Sequence, residues 1–182
     1  MFARTDRLLL RPGWVEDAPA LFAAIRDEAV VRNLATAPWP YTPEHARAFL
    51  ATERGPDNPV MLVFRRTSGV PELIGTIGLA RRASDDVELG YWIARPHWNR
   101  GYATEAGGAV VRMARESLRL PRLVAGHFLD NPASGRVLEK LGFRPAGPAV
   151  PRYSAGRGGF APVRSYCLGL AQACESEAAM AA

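Results

Sequence analysis

Apolar and polar positions along the chain alternate between two periods, one suited to strands and one to helices. Leu8, Leu9 and Leu10 form a short apolar run inside residues 7–11, which reads as a strand. Between Glu16 and Arg26, the residues Leu21, Phe22 and Ile25 recur at helical spacing, and residues 30–35 read as a second, shorter helix. Pro38, Trp39 and Pro40 break that pattern. Thr42, Pro43 and Glu44 then open a helix, with Thr as N-cap and Pro at the first helical position. It is expected to run to about Arg54, where Gly55 and Pro56 stop it. Three strands follow at residues 60–65, 73–80 and 87–94, joined by Ser68-Gly69 and by a polar turn over residues 81–86. Residues 103–118 read as a helix, 123–129 as a strand, and 131–141 as a helix closed by Gly142. Residues 147–159 are rich in Gly and Pro and read as a hairpin loop before a last strand at 163–170. The tail, residues 171–182, carries no fold signal and is expected to be frayed or helical. The order predicts a mixed α/β layout, one sheet covered by helices.

The sharpest local feature is the run Trp98-Asn-Arg-Gly-Tyr-Ala-Thr-Glu-Ala106, between a strand stopped by Pro96 and a helix. Backbone amides of Arg100, Gly101, Tyr102, Ala103 and Thr104 precede or open the first helical turn and have no helical partner. They also lie at the positive end of the helix dipole, which suits a phosphate or pyrophosphate. Gly101 lets a ligand approach the backbone. Gly107 and Gly108 lie inside the helix, where each costs about 1 kcal/mol relative to Ala, so close packing or a nearby ligand is expected. An ordinary strand–turn–helix with a turn glycine accounts for the same residues. The run is neither a Walker loop nor a dinucleotide fingerprint.

A second motif, Asn131-Pro-Ala-Ser-Gly-Arg-Val-Leu-Glu-Lys-Leu-Gly-Phe143, follows the next strand. Its structural reading is complete in itself: Asn as N-cap, Pro at the first position, Val137, Leu138 and Leu141 on one face, and Gly at the stop.

Charge and composition narrow the function classes. The 182 residues suit a single domain, with a fold core of about residues 4–170. The formal net charge is +5, and Lys140 is the only lysine among the 23 basic residues. These residues are scattered rather than clustered, which argues against a nucleic-acid module. The two cysteines, Cys167 and Cys174, form neither a disulfide framework nor a zinc site, and no metal is expected. No membrane-length apolar run and no leader-like segment are visible, so a soluble cytoplasmic protein is expected.

Gly90-Tyr-Trp-Ile93 together with the run 98–106 resembles the acetyl-CoA motif of the GNAT superfamily of N-acetyltransferases. The likeness is greatest to the branch of the ribosomal-protein alanine acetyltransferases (RimJ/RimL-like). Gly101 and Ala103 match the last two positions of the superfamily's Gln/Arg-x-x-Gly-x-Gly/Ala core, and Trp98 stands at its first. The second motif resembles the family's Asn-x-x-Ser-x-x-x-x-Glu-Lys-Leu-Gly-Phe segment, and Thr5-Asp-Arg-Leu-Leu-Leu-Arg11 resembles the branch's opening strand. The resemblance implies a central mixed, mostly antiparallel sheet with helices on both faces and central strands splayed at the cofactor. It implies acetyl-CoA as co-substrate, with pantetheine along Ile93 and Ala94, pyrophosphate on the amides of residues 100–104, and Asn131 on the pantetheine arm. It implies acetyl transfer to a primary amine, either a protein N-terminus or a small molecule, by a monomer or homodimer. An idle acyl-CoA-binding module is the alternative.

Such a reaction needs a neutral amine, a stabilised thioester oxygen and a protonated leaving thiolate. The backbone N–H of Ile93 or its neighbour is placed to polarise the carbonyl. Ser134 stands where the branch has its proton donor, and the family's usual Tyr position is Leu138 here. Glu88 is the candidate base. By alternation it shares a strand face with Gly90 and Trp92, while Val87, Leu89 and Tyr91 face the other way. It reads equally as a carboxylate paired with arginine. His97 and His127 are weaker candidates. Trp14, Trp39, Tyr41 and residues 153–160 are candidates for the acceptor pocket. The acidic residues Glu16, Asp17, Asp27, Glu28 and Glu44 are the ones that would greet a strongly cationic acceptor.

Overall fold

A computed structural model describes residues 2–170. Met1 and residues 171–182 lie outside the described residues, and with them the tail and Cys174. In chain order the elements are β1 (Ala3–Arg4), β2 (Leu8–Arg11), α1 (Ala18–Ile25), α2 (Glu28–Val31), α3 (Pro43–Ala51), β3 (Val60–Arg65), β4 (Glu72–Arg81) and β5 (Val87–Ile93). Then come α4 (Tyr102–Glu116), β6 (Arg122–Phe128), α5 (Pro132–Lys140), β7 (Arg144–Pro145), β8 (Val150–Ser154) and β9 (Gly159–Gly169).

The strands form one sheet in the order β1-β2-β3-β4-β5-β6-β9-β7, with β8 added to β9. Every pairing is antiparallel except that of β5 with β6, which is parallel and holds at a single residue pair, Glu88 with Val124. Beyond that pair the two strands part. Alternation sorts the strand side chains into two cores. Met61, Val63, Val87 and Leu89 pack with α4 and α5, whereas Leu62, Phe64 and Trp92 pack with α1 to α3.

Local chemistry sets the helix ends. Thr42 accepts a hydrogen bond from the His45 amide at 3.4 Å and Asp27 accepts one from the Ala29 amide at 2.8 Å. The Asp27 cap starts α2 two residues earlier than the apolar pattern suggests. Asn131 caps α5 as expected, accepting from the Ser134 amide at 3.4 Å. Gly107 is a packing glycine, since a Cβ there would lie 2.5 Å from Leu141; the space beside Gly108 is open by comparison.

The segment 147–159 departs from the expected loop. Residues 150–154 form β8, paired along the first half of β9, and the loop shrinks to the tip over residues 155–158. Main-chain pairing depends little on the side chains, and Pro151 is tolerated because β8 has a partner on one side only. The tip is tied to the chain after α2: the Ser154 hydroxyl donates to the Leu34 carbonyl at 2.7 Å and Arg157 donates to the Arg32 carbonyl at 2.7 Å. No helix among the described residues is long and apolar enough to cross a membrane.

Two strand glycines make the packing testable. A Cβ on Gly75 would collide with the Trp92 carbonyl, whereas one on Gly90 would meet nothing within 4 Å. Gly75→Ala is expected to lower the unfolding free energy by about 1–3 kcal/mol in chemical denaturation. Gly90→Ala is expected to stay within about 0.5 kcal/mol of the parent.

Candidate functional site

Where β5 and β6 part, the sheet opens into a cavity of about 770 Å³ whose lining comes from both of its faces. Its size suits a ligand-binding cleft. Glu88, Ile93, Gly101, Tyr102, Ala103, Thr104, Asn131 and Ser134, all singled out by sequence, line this one space. Ala94 does not reach it. Its amide donates to the Ile74 carbonyl at 2.7 Å, and its side chain is buried against α1 to α3. Because Ala94 bonds toward β4, antiparallel alternation turns the Ile93 amide the other way, into the gap.

The turn before α4 is built from both ends of the domain. Gly101 is the N-cap at φ 79°, a conformation that costs an L-residue about 1–2 kcal/mol. Among the described residues, the amides from Arg100 to Thr104 donate to no protein acceptor; the first helical bond runs from Glu105 to the Gly101 carbonyl at 3.0 Å. Arg7, in the β1–β2 turn, braces this cradle. It donates to the Arg100 carbonyl at 3.0 Å and to Glu105 at 2.7 Å, and its guanidinium lies 4.7 Å from the centre of the Tyr102 ring. The Arg100 side chain itself is exposed and does not line the cavity, so only its amide is offered at this turn. Trp98 has a different task from a phosphate ligand. Its indole N–H donates to the Ile93 carbonyl at 2.6 Å and fixes the turn that leaves β5.

On the α5 side, Ser134 faces Tyr91 of β5, and Asn131 caps the same turn of α5. The Tyr91 and Ser134 hydroxyls are 2.8 Å apart, with either able to donate, and the Tyr91 hydroxyl also lies 3.1 Å from the Ser134 carbonyl as a donor. Burial pushes the Tyr91 phenol up to about 12, against the opposing effect of its bond to Ser134. It therefore stays protonated at ordinary pH and can act as a donor behind Ser134. Sequence pattern placed Tyr91 on the face opposite Glu88, which is where it lies. Its partnership with Ser134 joins residues 43 positions apart and has no local signal.

Glu88 is on the other face, as alternation requires. Two guanidiniums hold it: Arg152 donates at 2.8 and 3.1 Å, and Arg82 reaches its oxygens at 2.9 and 2.6 Å. Burial by itself would raise its carboxyl, but the hydrogen bonds from Arg152 and Arg82 outweigh that and hold it below the ordinary value. A carboxylate so held is ionised and weakly basic. Arg152 comes from β8, in the stretch that reads as a loop, and sequence reasoning did not single it out.

The remaining candidates have structural partners. His97 contacts Glu72 at 3.2 Å, and His127 packs beneath Gly135 with its ring against Tyr166. Tyr41 lines the cavity; Trp14, Trp39, Tyr153 and Phe160 do not. No group of three or more His, Cys, Asp or Glu among the described residues is arranged to hold a metal.

A family model described as an acetyltransferase (GNAT) domain matches residues 7–144. The chain is 35% identical over 150 residues to YoaA, an uncharacterized N-acetyltransferase of Bacillus subtilis, covering 79% of this chain and 82% of that one. It resembles a solved GNAT-family acetyltransferase of Bacillus anthracis, with a TM-score of 0.78 at 25% identity, over 93% of this chain and 98% of the other. RimL, a ribosomal L7/L12 α-N-protein acetyltransferase solved with coenzyme A, shares the fold at a TM-score of 0.76 and 19% identity, over 93% and 98% of the two chains. With residues 7–144 matched by the family model and most of its length aligned to an N-acetyltransferase, this chain belongs to the GNAT acetyltransferases and is an acetyl-transferring enzyme.

Proposed function

We propose that the enzyme takes the acetyl group from acetyl-CoA and passes it directly to a primary amine. The observation that carries this reading is the cavity itself. It joins unpaired helix-start amides, a gap beside the free edge of β5, and a chamber under α1 to α3. The pyrophosphate of acetyl-CoA fits the amides of Arg100, Gly101, Tyr102, Ala103 and Thr104, with the helix dipole behind them. The pantetheine arm adds to the edge of β5 at Ile93 as an extra strand would, with Asn131 beside it. A neighbouring fold solved with coenzyme A, RimL, supports the same substrate.

In this arrangement the amine enters from the chamber on the Glu88 face. Its lone pair attacks the thioester carbon, the carbon–sulfur bond breaks, and the sulfur leaves as thiolate. The Ile93 amide stabilises the oxygen on which charge develops. Ser134 gives its hydroxyl proton to the thiolate and recovers one from water, while Tyr91 keeps its own proton and donates a hydrogen bond to the Ser134 oxygen as that oxygen gains charge. The attacking nitrogen releases its proton to water, along a chain that ends at Glu88. Since Glu88 is already ionised, the acceptor's own amine sets the ascending limb of the pH–rate profile, near pH ~8 for an α-amine.

Thiol release from acetyl-CoA, followed with peptides, polyamines, aminoglycosides and amino acids, tests the reaction directly. Release that depends on an amine supports it; none across the panel contradicts it. Gly101→Val is expected to weaken acetyl-CoA binding at least tenfold, read by calorimetry, because its φ and its new Cβ both disturb the cradle; unchanged affinity would refute that assignment. Ser134→Ala is expected to lower kcat roughly 10²-fold with acetyl-CoA affinity intact, and Tyr91→Phe to lower it less. An unaltered kcat in Ser134→Ala removes Ser134 from the proton path.

A further inference from the structure

We infer that the acceptor is a small amine that carries its own anionic group, a carboxylate or phosphate, and that polycationic amines are excluded. The inference rests on the proposed reaction and on the reading of the cavity as the site of both substrates. It begins from the charges that surround the acceptor chamber.

Acidic residues are plentiful in the early helices, but none of them lines the chamber. Asp17 is held by Arg11 at 2.7 Å, Glu44 pairs with Arg47 at 3.2 Å, and Asp27 caps α2 with Arg95 3.6 Å away. Glu16 and Glu28 are exposed on the outer surface. Among the described residues, the one carboxylate that reaches the cavity is Glu88, and it is already over-matched. Each of its oxygens meets guanidinium nitrogens of both Arg152 and Arg82. The next carboxylate, Asp86, belongs to Arg122 at 2.6 Å. The two arginines around Glu88 therefore leave one formal positive charge at the chamber floor.

Arg152 lines the cavity, and its side chain is 32% exposed. Arg136 and Lys140 also line the cavity, but from α5 on the opposite face of the sheet, so Arg152 is the cation on the chamber side. In a partly dehydrated cavity a net cation draws an anion and repels further cations. A guanidinium has five N–H donors, so Arg152, with two spent on Glu88, retains three for the oxygens of a second anion.

Shape agrees with charge. The chamber is walled by Ile25, Tyr41, Phe49 and Trp92, and Gly90 adds no side chain to its floor. The volume of about 770 Å³ must hold the thioester arm as well as the acceptor, which leaves room for a compact molecule. Apolar walls seat its carbon skeleton, and the cation at the floor selects its charge.

Matched pairs of acceptors test this, with thiol release as the readout. Amino acids are compared with their carboxamides, and aminoalkyl phosphates with the corresponding amino alcohols; spermidine and an aminoglycoside complete the set. The anionic member of at least one pair is expected to exceed its partner in kcat/KM by tenfold or more. Whether the carboxylates or the phosphates lead names the source of the anion. In Arg152→Met that preference is expected to fall at least fivefold, through KM, while acetyl-CoA still raises the melting temperature as it does in the parent. Equal turnover of acids and amides, or better turnover of spermidine or the aminoglycoside, overturns the inference, as does acetyl-CoA binding with no anionic acceptor used. A melting temperature indifferent to acetyl-CoA overturns the cavity reading first, and the inference with it.

Discussion

One parallel contact, Glu88 with Val124, governs the site. In an otherwise antiparallel sheet it joins the two halves of the domain and then lets go. Beyond it, the β5 edge carries main-chain groups that no neighbouring strand takes up, and unpaired main-chain groups beside a cavity seek a ligand. The helices after β5 and β6 begin at this same opening, so their first turns face it together. The unpaired amides before α4, the Tyr91–Ser134 pair and the chamber under α1 to α3 all lie where that pairing ends.

The opening is held by interactions that come from far along the chain. Arg7 reaches from the first hairpin to brace the turn before α4, which gives the Thr5-Asp-Arg-Leu motif a physical role. Trp98 ties the Ile93 carbonyl and keeps the end of β5 from pairing further. The β8–β9 tip is bonded to the chain after α2 and carries Arg152 to Glu88. Glu88 therefore links the sheet to the hairpin electrostatically at the point where the chamber begins.

Local chemistry was legible in the residues. Thr42 and Asn131 announced their caps, Gly101 the turn before α4, and strand alternation put Glu88 and Tyr91 on opposite faces, as found. Long-range partnerships were not legible. Nothing near Glu88 says that Arg152 will hold it, because the two are 64 residues apart and meet through main-chain pairing of a Gly- and Pro-rich stretch. Ala94 read as a cofactor contact because it ends the motif strand; the antiparallel register that sets Gly75 opposite Ile93 instead brings the Ile74 carbonyl to its amide. The gap between β5 and β6 follows from register, a property of pairs of strands that a single chain read in order does not display.

Hydrogen exchange with and without acetyl-CoA reads the central claim most directly, because the claim concerns particular amides. On binding, the amides of Ile93 and of residues 100–104 are expected to slow at least tenfold, while those of β3, already paired with β2 and β4, stay unchanged. Protection spread evenly over the sheet, or absent from Ile93 and residues 100–104, would contradict the account of a ligand held at the parting of β5 and β6.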